Sequence, residues 1–232
     1  MLCRRLLFWI LLRCADCFSV TVPSSPVLGV RRATAHLPCA FEPVSDLSDL
    51  VITWQREEDL QVVHSFYYGT DQLERQGRDY INRTKLNHKE IPKGNASLSI
   101  AKFGLKDAGK YVCVVSNSKG TDRGVVHLVY AAFYSEPKLS ILLNSTDVTV
   151  QYEMEAYPRP EVMWQGSGGQ NLTGQVEVSS ESDGGVFYLK SSYMTQSPVF
   201  NVTFTLKNPA VHQKLQRHVK VYISDGKHFS LG

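Results

Sequence analysis

The sequence predicts an all-β chain folded as two tandem sandwiches of antiparallel sheets. From residue 18 onward, short runs of β-branched and aromatic residues alternate with turn clusters, and no stretch keeps a helical period. Cys39, Trp54, Arg83, Asp107, Tyr111 and Cys113 stand in the order and spacing of a sandwich stapled through its core. After residue 131 the theme returns, with Tyr157-Pro-Arg-Pro160 running into Trp164.

The stretch D-A-G-K-Y-V-C, residues 107–113, organises the first half. Asp107 is placed to reach a basic side chain at the base of the sandwich, for which Arg83 is the candidate, and the pair reads as structural. Gly109 turns where a Cβ would crowd, and Tyr111 is placed to lock the corner by hydrogen bonding backward through its hydroxyl. A tyrosine two residues before the second cysteine is the corner position of immunoglobulin sandwiches, which also require an upstream cysteine and a buried tryptophan. Cys39 and Trp54 meet both requirements.

Two ordinary domains fit a chain of 232 residues, 43% of them apolar. Residues 1–17 stand apart. Arg4 and Arg5 precede an apolar run over residues 6–12, and Ala15-Asp16-Cys17 supplies small residues for cleavage, so the segment reads as a secretory signal peptide. Its removal takes three arginines and one aspartate, and the net charge falls from +3 to +1. No nucleic acid or other polyanion partner is implied. Cys3, Cys14 and Cys17 leave with it, so Cys39 and Cys113 remain as the available pair. Five glycosylation sequons, at Asn82, Asn95, Asn144, Asn171 and Asn201, agree with an extracellular compartment.

The first sandwich is expected over residues 18–131. Residues 18–22 open as a strand, Pro23 to Pro26 interrupt it as at an edge, and residues 35–41 carry the first cysteine. Residues 51–55 form the tryptophan strand, with Ile52 and Trp54 on one face and Val51, Thr53 and Gln55 on the other. In residues 60–68 apolar side chains occupy both parities, so the register stays open between two choices. Either Phe66 and Tyr68 face the core and Tyr67 is exposed, or the reverse. Further strands fall near 83–86, 96–100, 110–116 and 125–130. About nine strands suit a variable-type domain.

The second sandwich is expected over residues 132–232, of constant type, with strands at 138–143, 147–156, 161–164, 186–189, 199–206 and 219–223. It departs from the stapled pattern. Tyr152 occupies the first cysteine position, and the later one falls near His218, which would serve as partner to the buried Tyr152 hydroxyl beside Trp164.

The mature chain resembles the ectodomains of the B7 family of T-cell co-signalling ligands, relatives of the butyrophilins. The resemblance rests on C-A-F-E-P-V-S-D-L-S-D-L-V-I-T-W, V-H-S-F-Y-Y-G-T-D-Q-L-E-R-Q, N-R-T, G-N-A-S-L, D-A-G-K-Y-V-C and Y-P-R-P. It implies a ligand that binds an immunoglobulin-superfamily receptor on lymphocytes and tunes T-cell activation and cytokine output. It also implies use of the front sheet of the variable domain. There Val112 and Val114 would point outward beside Val51, Thr53 and Gln55, with an exposed aromatic from Phe66, Tyr67 and Tyr68. A homophilic or heterophilic adhesion molecule, a soluble decoy and a homodimer stay open. The chain ends at Gly232 without an apolar segment, which reads as a fragment or isoform of a membrane protein, or as a secreted form.

Chemistry is not indicated. No glycine-framed nucleophile, phosphate loop or converging carboxylate pair is present, so neither catalysis, a cofactor nor a small-molecule substrate is expected. His36, His88, His127 and His212 have no metal-ligand spacing, and His64 reads as an exposed strand residue.

A disulfide closing so long a loop contributes about 4 kcal/mol by the chain-entropy account, a contribution the second domain lacks. A calorimetric scan of the full chain should therefore show the second domain melting first. Adding reductant should lower only the other transition; a reductant-sensitive first transition would contradict this order.

Overall fold

A computed structural model of the chain describes residues 18–144, 146–180, 187–197 and 199–222. The signal-peptide segment and the end at Gly232 lie outside the described residues, as does Val186, the first residue of one expected strand. By contacts the chain divides into two compact units. Among the described residues one is built on 36–100 and 109–127 with 18–27, the other on those from 128 to 222 with 28–35 and 101–108.

In the first sandwich the strands are β1 (Val20–Thr21), β2 (Val27–Val30), β3 (Ala35–Leu37), β4 (Ala40–Phe41), β5 (Val51–Arg56), β6 (Val62–Tyr67), β7 (Thr70–Asp71), β8 (Thr84–Leu86), β9 (Leu98–Ile100), β10 (Gly109–Asn117) and β11 (Gly120–Ala131). The front sheet runs β2-β11-β10-β5-β6-β7. Opposite it lie β3-β9-β8 and the pair β1-β4. Pro23 and Pro26 mark the place where the first strand changes sheets: β1 pairs with β4, whereas β2 is an edge of the front sheet. A residue without an N–H is tolerated at such a break.

Period-two alternation builds the core. Cys113 stands opposite Trp54 in the β10–β5 ladder, and Tyr111, Cys113 and Val115 all point inward and are fully buried. Cys39 and Cys113 are joined across a separation of 74 residues, with their Cα atoms 6.6 Å apart. The Trp54 indole donates to the Ala96 carbonyl at 2.9 Å, so its one polar atom is satisfied in the apolar interior. That contact gives G-N-A-S-L a physical meaning. Gly94, at φ +86°, passes so close to the Phe41 carbonyl that a Cβ would lie 2.1 Å from its oxygen. The Tyr111 hydroxyl is bonded to that of Tyr80 at 3.2 Å. Asp107 is buried and accepts from the Gly104 N–H at 2.8 Å, and Arg83 donates to the Asp79 carbonyl at 2.8 Å.

The second sandwich consists of β12 (Lys138–Leu143), β13 (Val148–Ala156), β14 (Glu161–Gly166), β15 (Asn171–Leu172), β16 (Gln175–Ser180), β17 (Phe187–Thr195), β18 (Val199–Asn208) and β19 (Gln213–Tyr222). They form two four-stranded sheets, β12-β13-β17-β16 and β15-β14-β18-β19. Residues 175–180 form a strand that the sequence pattern does not announce, because Gln, Glu and Ser interrupt its two valines; of these Val178 packs on the core.

Three aromatic rings fill the place of a disulfide here. Tyr152 stacks on Phe204 with centroids 4.3 Å apart, and Trp164 packs against both at 5.9 Å and 4.9 Å. The Trp164 Nε1 donates to Ser191 Oγ at 2.9 Å, and that hydroxyl donates to the Gln175 carbonyl at 3.0 Å. His218 is therefore not the later core position. The ladder sets Phe204 beside Trp164, whereas His218 lies on the next strand, exposed, with Nδ1 2.9 Å from Thr203 Oγ1. The Tyr152 hydroxyl lies in the field of the Arg217–Glu136 ion pair instead, and burial pushes its pKa up to about 12. Tyr134, whose hydroxyl donates to the Pro158 carbonyl at 2.7 Å, is also pushed up to about 12 by burial.

Both tyrosines fold in the neutral form with a raised pKa. Their contribution is thus complete below the ordinary tyrosine pKa of about 10 and is lost as pH rises toward about 12. The unfolding midpoint of this sandwich should fall over that window, and Tyr152→Phe should flatten the fall; an unchanged profile would contradict it. Phe204→Ala should cost about 3–5 kcal/mol in urea titration, since it opens a cavity between the other two rings.

Candidate receptor-binding face

The outward residues of β5, β6 and β10 share one surface. In the ladder Ser116 stands beside Val51, Val114 beside Thr53 and Val112 beside Gln55. Thr53 in turn pairs with Ser65, and Gln55 with Val62 across a bulge. Val51 is 38% exposed and Val114 half-buried, as are Thr53 and Gln55. Val112 points outward yet is only 8% exposed, so it supports the surface more than it offers a contact. The expectation of a patch centred on two exposed valines is corrected in that respect.

The open register of residues 60–68 resolves in a way that neither parity allowed. Phe66 pairs with Ile52 on the inner face and is 1% exposed, so it does not belong to this surface. Tyr67 lies on the outer face, half-buried, and Tyr68 is 79% exposed. Alternation stops there because the strand ends in a two-residue turn. Tyr68 and Gly69 have φ of +53° and +75°, and Tyr67 pairs with Thr70 across them. Left-handed geometry at both central residues matches the twist of a tight hairpin. The two rings meet edge to face, with centroids 5.2 Å apart.

Beside this hairpin the surface is hollowed into a depression of about 440 Å³, lined by Thr53, Gln55, Val62, Ser65 and Tyr67 together with Gln72, Glu74 and Arg75. The Gln72 N–H donates to the Ser65 carbonyl at 2.9 Å, and its amide nitrogen donates to Thr70 Oγ1 at 3.0 Å, which ties the rim to the hairpin. Hydroxyl and amide groups thus line a hollow with one aromatic wall and both signs of charge at its rim. No motif announced it; the only local signal is Gly69 following two tyrosines.

His64 is likewise corrected. Its register partner is Trp54, so it faces inward and is 1% exposed. Nδ1 is 2.9 Å from Thr84 Oγ1, and Nε2 is 3.1 Å from Asp71 Oδ1 but off-axis for a hydrogen bond. His88 Nε2 reaches the same carboxylate oxygen at 2.7 Å. The Asp71 carboxylate accordingly links the edge strand β7 to imidazoles on either side. Among the described residues no group of three or more His, Cys, Asp or Glu is disposed to hold a metal ion.

None of the sequon asparagines belongs to β5, β6 or β10. Asn82 is exposed in a turn before β8, at φ +58°, and Asn95 is half-buried with Oδ1 accepting from the Ser97 N–H at 2.9 Å. Asn144, Asn171 and Asn201 are exposed in the second sandwich.

The immunoglobulin V-set domain family matches residues 21–130. Human V-set domain-containing T-cell activation inhibitor 1 is 35% identical over 192 residues, which cover 80% of this chain and 65% of that protein. The CD276 antigen homolog of Xenopus laevis is 31% identical over 192 residues, covering 79% and 62%. The chain therefore spans a little under two thirds of the length of these relatives. The crystal structure of bovine butyrophilin superposes with a TM-score of 0.76 at 24% identity, covering 89% of this chain and 99% of that one, a likeness of fold. The V-set match makes residues 21–130 a member of the immunoglobulin V-set domain family, and over about four fifths of its length the chain is similar to B7- and butyrophilin-related proteins.

Proposed function

We propose that the chain is an extracellular co-signalling ligand that docks an immunoglobulin-superfamily receptor on lymphocytes through the outer face of β5, β6 and β10, and so modulates T-cell activation. The observation that carries the reading is the 35% identity to a protein named as a T-cell activation inhibitor, over most of this chain. The geometry supports the choice of face. Tyr67 and Tyr68 supply rigid aromatic area next to a hollow lined by hydroxyls and amides, and such aromatic anchors carry most binding energy at protein interfaces. Sugar on Asn82 or Asn95 would leave the face uncovered, because neither residue belongs to its strands.

Affinity on this reading comes from desolvating Tyr67, Val114 and Val51, while Glu74, Arg75 and the Lys110–Glu57 pair at 3.3 Å set orientation at the rim. A protein acting only in adhesion would bind cells without altering their response.

Beads coated with the soluble protein should change proliferation or cytokine release of activated T cells. Tyr67→Ala should weaken binding to those cells by about 30-fold, equivalent to about 2 kcal/mol, and Val114→Asp should abolish it, both with an unchanged melting profile. Val112→Asp should instead lower the melting temperature, because its side chain is buried. Binding at wild-type strength by both Tyr67→Ala and Val114→Asp would overturn the choice of face, and unaltered T cells would overturn the function.

A further inference from the structure

A separate surface lies on the outer face of the sheet β12-β13-β17-β16, and register sorts its side chains into rows across the four strands. One row reads Lys138, Glu153, Lys190, Glu177, with the sign changing at every strand. The next row reads Ser140, Gln151, Ser192, Gln175, and beyond it stand Leu142, Thr149 and Met194. On the other side lie Glu155, Tyr188 and Ser179.

Opposite charges side by side in a ladder support the sheet itself. Here that use is incomplete. Glu153 accepts from Gln151 Nε2 at 2.7 Å and from the Tyr188 hydroxyl at 2.8 Å, and no ion pair among the described residues engages Lys138, Lys190 or Glu177. Leu142 and Met194, 53% and 62% exposed, leave apolar area at one end.

We propose that this face is a two-fold contact between two copies of the chain, with the axis running along the strands between β13 and β17. Such a rotation exchanges β12 with β16 and β13 with β17 and keeps every row opposite itself. Lys138 then meets Glu177 of the partner subunit, and Glu153 meets Lys190 of the partner subunit. In the neighbouring row Ser140 faces Gln175 of the partner subunit, while Gln151, only 8% exposed, supports Glu153 from beneath. Every charge in the row finds its opposite. An axis laid along the charged row would instead set Lys138 on Lys138 and Glu153 on Glu153.

The occupant follows from this pattern. A strictly alternating, neutral row offers nothing to a partner of one sign, whereas its own copy matches it throughout, which is what an isologous interface requires. Asn171 and Asn201 belong to the other sheet, and Asn144 follows the end of β12, six residues beyond Lys138 and so clear of the charged row. The size of the face sets the strength. β13 and β17 have nine residues each, so at about 3.3 Å per residue and about 4.8 Å between strands the face covers about 500 Å² per copy. About 1,000 Å² in total lies at the low end for specific contacts. The dimer is therefore weak in dilute solution and populated where chains are concentrated.

Sedimentation equilibrium of the glycosylated chain from about 10 µM to about 1 mM should show a reversible monomer–dimer equilibrium. Lys190→Glu alone and Glu153→Lys alone should each weaken it at least about tenfold, and the two together should restore it, since the pair recurs across the axis. Melting curves of the same variants verify that each is folded. As an independent readout, chains with Ser140→Cys mixed with chains with Gln175→Cys should form a disulfide-linked dimer faster than either alone. A chain that stays monomeric to about 1 mM, or folded single variants that dimerise as wild type with no excess cross-linking in the mixture, would overturn the proposal.

Discussion

Each sandwich depends on what is packed between its two sheets at the tryptophan. A sheet is a surface with one apolar side, and two of them stay together only if that side is filled at interior density and every polar atom trapped there has a partner. In the first sandwich the filler is the Cys39–Cys113 bridge beside Trp54, with the indole N–H handed to the Ala96 carbonyl. In the second it is Tyr152 on Phe204 beside Trp164, with the indole handed to Ser191. The architecture is held in common, and the covalent link is replaced by aromatic area. That exchange gives up constraint on the unfolded chain and gains dispersion and apolar burial in the folded one.

A filled interior leaves the outer faces free to differ. The front sheet of the first sandwich ends in a hairpin whose geometry sets a tyrosine pair beside a polar hollow, and the inward Phe66 and His64 anchor the strand behind it. One face therefore combines a rigid base with an aromatic edge, as suits recognition of another protein. In the second sandwich one outer face carries a sequon at Asn201, and the other carries an alternating charge ladder without one.

Much of this was legible because sandwich strands write their burial in a two-residue period and their staples in fixed residue types. Cys39, Trp54, Tyr111 and Cys113 required no geometry to identify. Where the period failed, so did the reading. In residues 60–68 both parities are apolar, because the inward face needs Phe66 while the outward face is itself partly apolar, and a turn at Tyr68 breaks the count. His64 read as exposed because a polar type on a strand is usually outward, and only the register opposite Trp54 turns it in. His218 fits the later position by sequence alone, whereas the β14–β18 ladder sets Phe204 there, opposite Trp164.

The sequence by itself determined the strand-forming segments, the one available cysteine pair and the two tryptophans around which the layers close, since these follow from residue type and local spacing. Only the tertiary structure decided that Val112 is covered, that a tyrosine pair rims a hollow, and that Lys138, Glu153, Lys190 and Glu177 stand in one row. Those facts depend on which residue of one strand lies opposite which of another. Such pairing is set by ladders that join segments far apart in the chain, and no local pattern encodes it.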